Sequence, residues 1–235
     1  MNSYELLQQH PVFHNCSIDD IPMIMEEFQF TTKFLPKHSY LYIAGDEILC
    51  LGILCTGRIL LEELGENGNY SFLSSIEAMS LFGSSYIGES NHISLVNYKA
   101  AMDCNLYLFP LTMLSDIVHT LPACQQFLHN VMLLIAKNNR NLICKLKILS
   151  KKTIREKILT FLFLLEGNGS LISLQAYSNS MTKFNAQFQI PFNHSELADY
   201  LCVNRSALER ELANMKKEGI LTFDKNTFFL SDTLF

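Results

Sequence analysis

The segment from Phe192 to Leu221 constrains the fold of this chain more than any other part of its 235 residues. Asn193, followed three residues later by Glu196, forms the pattern of a capping box, which begins a helix. Asn204 is a good N-cap for a second helix, and Gly219 is the residue type favoured just after a helix ends. The sequence therefore predicts two short helices joined by a tight turn.

The second of these helices has an apolar face and a polar face. Leu208, Leu212 and Met215 recur at i, i+4 and i+7, so we expect them to point inward. Two arginines on the other face suit a helix in the major groove of DNA, because arginine pairs bidentately with guanine. Hairpin-like runs at 220–223 and 227–230 follow, so the unit is predicted to be a winged helix-turn-helix. The polar face comprises Arg205, Ser206, Glu209 and Arg210.

The charge of the chain is unevenly distributed. Residues 1–150 hold 8 Lys and Arg against 14 Asp and Glu, and residues 151–235 hold 10 against 9, for a net charge of −5. A near-neutral C-terminal part suits sequence-specific DNA binding and argues against a nonspecific, strongly electrostatic binder. The alternative is an ordinary helical hairpin whose arginines lie on a solvated face.

Short apolar runs between Phe28 and Phe109 are separated by turn residues at roughly ten-residue spacing. This pattern predicts an antiparallel β-roll whose interior mouth can hold a small ligand. Two short helices, at 3–9 and 18–28, are predicted to precede it. The predicted strands are Ser39–Ala44, Ile48–Cys55, Arg58–Glu63, Tyr70–Ser75, Ser94–Tyr98 and Asp103–Pro110.

From Pro122 the pattern becomes helical. Apolar residues step by three or four positions, with the polar Asn138 among them, which approximates a coiled-coil seam. We predict that two copies of the chain associate along this helix; packing wholly against its own roll is the alternative. The predicted seam comprises Phe127, Val131, Leu134, Asn138, Leu142 and Leu146.

A second capping-box pattern, Thr153 with Glu156, predicts a helix through Leu165. Strand-like pieces at 171–174 and 188–192 predict a hairpin before the helix-turn-helix. The predicted class is α+β, with a domain boundary after the long helix. The predicted domains are residues 1–120 for the effector-sensing roll, 121–150 for the dimerisation helix and 151–235 for the DNA-binding domain.

This order of elements resembles the Crp/Fnr family of bacterial transcriptional regulators. The resemblance implies a cyclic-nucleotide-binding-like roll (a double-stranded β-helix-like sheet pair), a dimerisation helix and a winged helix-turn-helix. It spans nearly the whole chain and is closest in the C-terminal third. The segments that carry it are LPKHSYLYIAGDEILCLGILCTGRILL (35–61), LSKKTIREKILTFL (149–162) and HSELADYLCVNRSALERELANMKKEGIL (194–221).

By position, Arg205 and Arg210 match the two recognition arginines of that family. The resemblance assigns Arg210 to a guanine and Arg205 to a base or a nearby phosphate. His194, Ser195 and Lys217 are further candidates for phosphate contacts. The implied partners are a palindromic double-stranded operator, a second copy of the chain, a small effector and RNA polymerase.

The sensor region departs from the cyclic-nucleotide binders of the family, which carry Gly-Glu and then Arg-Ser. In this chain Gly83 is followed by Ser84, and Ser94-Leu95 lies where Arg-Ser is expected. Without that arginine a phosphate loses a charge-assisted contact of about 1.5–3 kcal/mol, so we do not expect cyclic AMP binding. The corresponding effector pocket would comprise Gly83, Ser84, Ser85 and Tyr86.

The cysteines and histidines of the chain bear on other sensor chemistries. An iron–sulfur cluster needs several clustered cysteines, and only Cys16 lies near the N-terminus, so we expect none. Thiol switches at Cys50, Cys55 or Cys104 stay open as alternatives. A haem ligand among the sensor histidines also stays open. These histidines are His10, His14, His38, His92, His119 and His129.

Two functions of other classes remain as alternatives. A cupin-like metal enzyme would need clustered ligands, whereas His38 and His92 are isolated, so no catalytic or metal site is predicted. A protein-interaction module would use the winged helix without DNA. No signal peptide is evident and the apolar runs are too short to span a bilayer, so we expect a cytoplasmic protein without membrane contact.

Overall fold

The computed structural model describes residues 3–88, 91–114, 121–166, 187–190 and 192–231. The chain divides by its tertiary contacts into residues Met1–Asn138 and Asn139–Phe235, here called the N-terminal and C-terminal units. The division falls inside the long helix α3 (Pro122–Leu149), rather than after it. The three predicted domain limits stay predictions.

Two antiparallel four-stranded sheets form most of the N-terminal unit, in the orders β1-β8-β3-β6 and β2-β7-β4-β5. The predicted antiparallel roll is thereby confirmed. Its strands are β1 (Thr31–Leu35), β2 (Tyr40–Tyr42), β3 (Cys50–Thr56), β4 (Arg58–Leu64), β5 (Tyr70–Glu77), β6 (Ser80–Phe82), β7 (Asn97–Ala100) and β8 (Cys104–Pro110).

The sequence missed β1 and β6. Four of the five residues of β1 are exposed, so this strand shows no alternation of buried and exposed residues, and β6 has only three residues. Both are held by pairing with distant strands, β1 with β8 and β6 with β3. Such pairing leaves little trace in local sequence.

Helices precede and follow the sheets: α1 (Ser3–Gln8), α2 (Asp20–Glu27) and α3 (Pro122–Leu149). Short 3-10 helices occupy Pro11–Phe13, Ser84–Tyr86 and Leu111–Leu114. Phenylalanine rings from these helices and the sheets form one core cluster with α3. Within the described residues, no helix is both long and apolar enough to cross a bilayer.

The predicted seam on α3 is partly wrong. Phe127 and Val131 are buried in the core of their own chain, and the Asn138 amide donates a hydrogen bond to the Leu81 carbonyl oxygen at 3.1 Å. Leu134 packs half-buried against the same core. Phe127 and Val131 therefore do not offer a surface to a second chain. The remaining two, Leu142 and Leu146, are exposed, at 59% and 66%.

His10 gives the N-terminal unit a pH-dependent stability. Its imidazole is buried and its Nδ1 accepts a hydrogen bond from the Val12 N–H at 3.1 Å. Burial lowers the pKa of His10 from 6.5 to about 4, and the nearby backbone of Ser80 offsets only part of this. The unfolded chain therefore binds a proton that the folded chain excludes. Stability is full above pH 6.5 and falls as the pH drops towards 4.

We expect about 2 kcal/mol of unfolding free energy to be lost through His10 between pH 7 and pH 5. Urea unfolding at both pH values measures this loss. His10→Asn keeps an N-cap acceptor for Val12 but does not titrate. The loss of stability between pH 7 and pH 5 should therefore be smaller in this variant than in the wild type, by the His10 contribution. His38→Asn, at an exposed histidine, is the matched control and should behave as the wild type. The same pH dependence in His10→Asn and the wild type would contradict the prediction.

The C-terminal unit holds the rest of α3 and the winged helix-turn-helix. Its other helices are α4 (Ile154–Glu166), α5 (His194–Tyr200) and α6 (Arg205–Lys217). Its strands β9 (Gln187–Gln189), β10 (Leu221–Asp224) and β11 (Thr227–Leu230) form one sheet in the order β10-β11-β9. The predicted strand at 171–174 lies outside the described residues.

Candidate nucleic-acid interface

Local caps position the two helices of the helix-turn-helix. The Asn193 side chain accepts hydrogen bonds from the backbone of α5, and Glu196 accepts one from the Asn193 N–H, which completes the predicted capping box. Cys202 turns the chain with a positive φ of 50°. The Asn204 side chain then accepts the Ser206 N–H and begins α6.

The two faces of α6 lie as the sequence predicts. Leu208, Leu212 and Met215 have no exposed surface. Gly219, with φ of 73°, follows the end of α6 in the left-handed conformation that glycine tolerates best. The exposed face carries all four predicted reading residues, Arg205, Ser206, Glu209 and Arg210.

The two arginines differ in their present partners. The Arg205 Nε donates to Glu209 Oε1 at 2.9 Å, across one helical turn, and both side chains are largely exposed. Within the part of the chain that the structure describes, Arg210 makes no ion pair or hydrogen bond. Arg210 can therefore contact a ligand directly, whereas Arg205 must first release the Glu209 carboxylate.

The residues predicted to contact phosphate differ in how exposed their side chains are. Lys217 is exposed at the last position of α6, and Ser195 lies half-buried in the first turn of α5. The imidazole of His194 instead packs against the wing, 5.7 Å from the Phe223 ring and 6.5 Å from the Phe228 ring. Its Nε2 is buried and has no hydrogen-bond partner among the described residues. The packing of its ring on the wing does not favour a phosphate contact by His194, which stays a prediction.

One positioning residue was missed by the sequence reasoning. Arg155, on α4, donates to Glu211 at 2.6 Å and to both oxygens of Glu218 at 2.7 and 2.9 Å. Glu218 and Glu211 raise the pKa of Arg155, and Arg155 lowers the pKa of Glu218. The bidentate pair fixes α6 relative to α4. The only sequence signal is that the two glutamates lie seven residues apart, on one helix face.

The predicted effector pocket at Gly83, Ser84, Ser85 and Tyr86 stays a prediction. Gly83 has φ of 83°, and a Cβ there would lie 2.8 Å from the Cys50 carbonyl oxygen, which explains the glycine. Ser85 is exposed, and Tyr86 is hydrogen-bonded to Tyr98. Neither these residues nor Ser84 line the cavity of about 490 Å³ that lies nearby. That cavity is lined by Leu49, Cys50, Gly88, His92, Pro110, Leu111 and Thr112.

The candidate thiol switches lie in apolar surroundings. Burial raises the pKa of Cys55 to about 11 and also raises the pKa of Cys50 and Cys104. At neutral pH these thiols are protonated and poorly nucleophilic. Among the described residues, no three His, Cys, Asp or Glu side chains come together as a possible metal site.

Two antiparallel sheets, a long helix and a winged helix with an exposed arginine face define a two-unit DNA-binding protein. Residues 157–233 match the Crp-like helix-turn-helix domain. The chain is 23% identical over 218 residues to the fumarate and nitrate reduction regulatory protein of Escherichia coli strain K12, which covers 88% of this chain and 81% of the relative. The C-terminal third of the chain thus matches the Crp-like helix-turn-helix domain, and the chain over most of its length is similar to a regulatory protein of the Crp/Fnr family.

Solved structures share the fold. FixK2 from Bradyrhizobium japonicum is 18% identical with a TM-score of 0.58, covering 86% of this chain and 92% of that one. The c-di-GMP-responsive global regulator CLP of Xanthomonas campestris is 16% identical with a TM-score of 0.62, covering 90% and 100%. Members of the family are transcription factors, so the cupin-like enzyme and the protein-interaction module are not favoured.

Proposed function

We propose that the chain binds a palindromic DNA operator as a homodimer, with one α6 helix in each half-site. The observation that carries this proposal is the exposed polar face of α6, where Arg210 makes no ion pair with any described residue and lies opposite a fully buried apolar face. In this assignment Arg210 contacts guanine, Arg205 contacts a base or phosphate, and Ser206 and Glu209 read neighbouring positions. Ser195 and Lys217 contact phosphates.

The signal is proposed to be a small effector of the N-terminal unit. The cavity beside His92 and Cys50 could admit one, and its lining is mostly apolar. A cyclic nucleotide fits less well, because residues 81–99 lack the phosphate-binding arginine that the cyclic-nucleotide binders of the Crp/Fnr family carry. RNA polymerase is a further proposed partner. The proposed compartment is the cytoplasm, where bacterial DNA lies.

Selection of duplexes from randomised DNA by the full-length protein tests this function. We expect a palindrome whose half-sites are centred about 34 Å apart, one turn of the double helix. Binding to that palindrome should exceed binding to scrambled DNA by roughly a thousandfold or more at physiological salt. Binding that follows salt concentration but not sequence would contradict the proposal.

The dimer contact is proposed to use a face of α3 next to the predicted seam. Met132, Ala136, Asn139, Ile143 and Leu146 are all exposed and step by four and three residues in alternation. This is the spacing of a coiled-coil seam, with Asn139 as its polar member. Three of the five are large apolar side chains that are at least half exposed, namely Met132, Ile143 and Leu146.

We therefore expect Ile143→Asp to weaken the dimer at least about tenfold, because two carboxylates would be buried without partners. Sedimentation equilibrium over a range of protein concentrations measures the dissociation constant. Asn141→Asp, an exposed position on the opposite side of α3, is the matched control with the same added charge. If both variants dimerise as the wild type does, another surface makes the contact.

A further inference from the structure

Lys145, near the C-terminal end of α3, reaches the end of the first helix of the helix-turn-helix. Its ammonium donates a hydrogen bond to the Tyr200 carbonyl oxygen. The same nitrogen lies 3.4 Å from the centre of the Tyr200 ring. One side chain of the long helix thus makes both a charge-assisted hydrogen bond and a cation–π contact with the last residue of α5.

A second lysine completes this arrangement. Lys157, on α4, donates to the next carbonyl oxygen, that of Leu201, at 2.9 Å. Carbonyls at a helix C-terminus lack partners within the helix and carry the negative end of its dipole, so cations are favoured there. Two cations from two different helices therefore hold two consecutive carbonyls.

These carbonyls lie directly before the turn that orients the recognition helix. Cys202 follows with its positive φ of 50°, and Asn204 caps α6 two residues later. The Tyr200 ring cannot shift freely, because it packs 4.9 Å from the Phe192 ring and 5.5 Å from the Phe161 ring, measured between centroids. Lys145 thus holds a rigid part of the turn.

We propose that Lys145 is a positioning residue for operator binding, which sets the direction of α6 by tying the helix-turn-helix turn to α3. This inference rests on the proposed reading of an operator by α6. Ile143 and Leu146, which belong to the proposed dimer seam, lie within two residues of Lys145 but face away from it, and both are exposed. A dimer of α3 helices then presents two recognition helices in one fixed relation.

The protonation state of Lys145 gives this inference a specific readout. Burial is the main cause that lowers the pKa of Lys145 to about 8. The nearby thiol of Cys202 raises this pKa, and the charge of Lys157 lowers it. Both interactions with Tyr200 need the ammonium. The positioning effect is therefore present below pH 8 and is lost as the pH rises through that value.

The test uses the full-length protein and the selected operator. Lys145→Met, which keeps the length but not the charge, should weaken operator binding about tenfold at pH 7. Its affinity for scrambled DNA and its salt dependence should not change, because Lys145 is not proposed to contact phosphate. Lys137→Met, at an exposed lysine of the same helix, should bind as the wild type does.

The pH profile separates positioning from a general loss of structure. Wild-type affinity should fall between pH 7 and pH 9, whereas Lys145→Arg should stay near the wild-type value at pH 7 and show no such fall. Equal operator binding by Lys145→Met and the wild type would overturn this inference alone. The inference would also be overturned if the operator affinity of Lys145→Arg falls between pH 7 and pH 9 as the wild-type affinity does. This comparison does not need Lys145→Met to fold. Failure of the wild type to bind any operator would overturn the proposed function as well.

Discussion

Replacing Phe127 with alanine is expected to lower the free energy of unfolding by about 3–5 kcal/mol. Phe127 has no exposed surface and sits at the centre of the aromatic core of the N-terminal unit. Its loss removes a large apolar side chain and leaves a cavity that the surrounding rings cannot fill without leaving their rotamers. The rings around it are those of Phe28 at 4.7 Å, Phe13 at 5.5 Å, Phe109 at 5.7 Å and Phe30 at 5.9 Å, measured between centroids.

Urea unfolding followed by circular dichroism, at one fixed protein concentration, measures this loss. The concentration must be fixed because dimer formation adds to apparent stability. Asn141→Ala, at an exposed position of the same helix, is the control and should change stability by less than about 0.5 kcal/mol. A Phe127→Ala protein as stable as that control would show that α3 does not pack on this core.

Arg210→Ala is expected to have the largest effect on DNA recognition. An arginine paired bidentately with guanine contributes about 1–3 kcal/mol of discrimination at its base pair, so the variant should lose roughly ten- to hundredfold in affinity per half-site. The side chain is exposed and lies beyond the first turn of α6, so its removal should leave the fold intact. Selection from randomised DNA should show relaxed preference at one base pair of each half-site.

Lys217→Ala is the matched comparison for Arg210→Ala, because Lys217 is exposed on the same helix and is proposed to meet phosphate. A lost phosphate contact weakens binding to all sequences alike and reduces the salt dependence by about one unit of slope per chain. If Arg210→Ala also lowers affinity without changing sequence preference, then Arg210 contacts the DNA backbone and not a base.

The helix-turn-helix was predictable because its signals are local. Asn193, Glu196 and Asn204 bind backbone groups within three residues of themselves, and Gly219 tolerates the left-handed conformation that follows a helix because it lacks a Cβ atom. The buried stripe of α6 follows from helical periodicity alone. These interactions need no knowledge of the rest of the fold.

Periodicity could not decide what the apolar stripe of α3 packs against. The side chains of Phe127 and Val131 are turned towards the core of the same chain, while Met132 and Ile143 are exposed. A stripe that packs on its own core and a stripe that binds a second copy have the same spacing of three and four residues. The helix itself was therefore correctly predicted, but part of its predicted seam was assigned to the wrong surface.

The sequence by itself thus determined the antiparallel roll, the long helix and the exposed polar face of α6, because these follow from turns, caps and periodic burial. Only the tertiary structure decided which distant side chains contact the helix-turn-helix. Arg155 meets Glu211 and Glu218 across 56 and 63 residues, and Lys145 meets Tyr200 across 55. Contacts over such separations depend on how helices and strands pack together. The residues next to a charged side chain in the sequence do not indicate its distant partner.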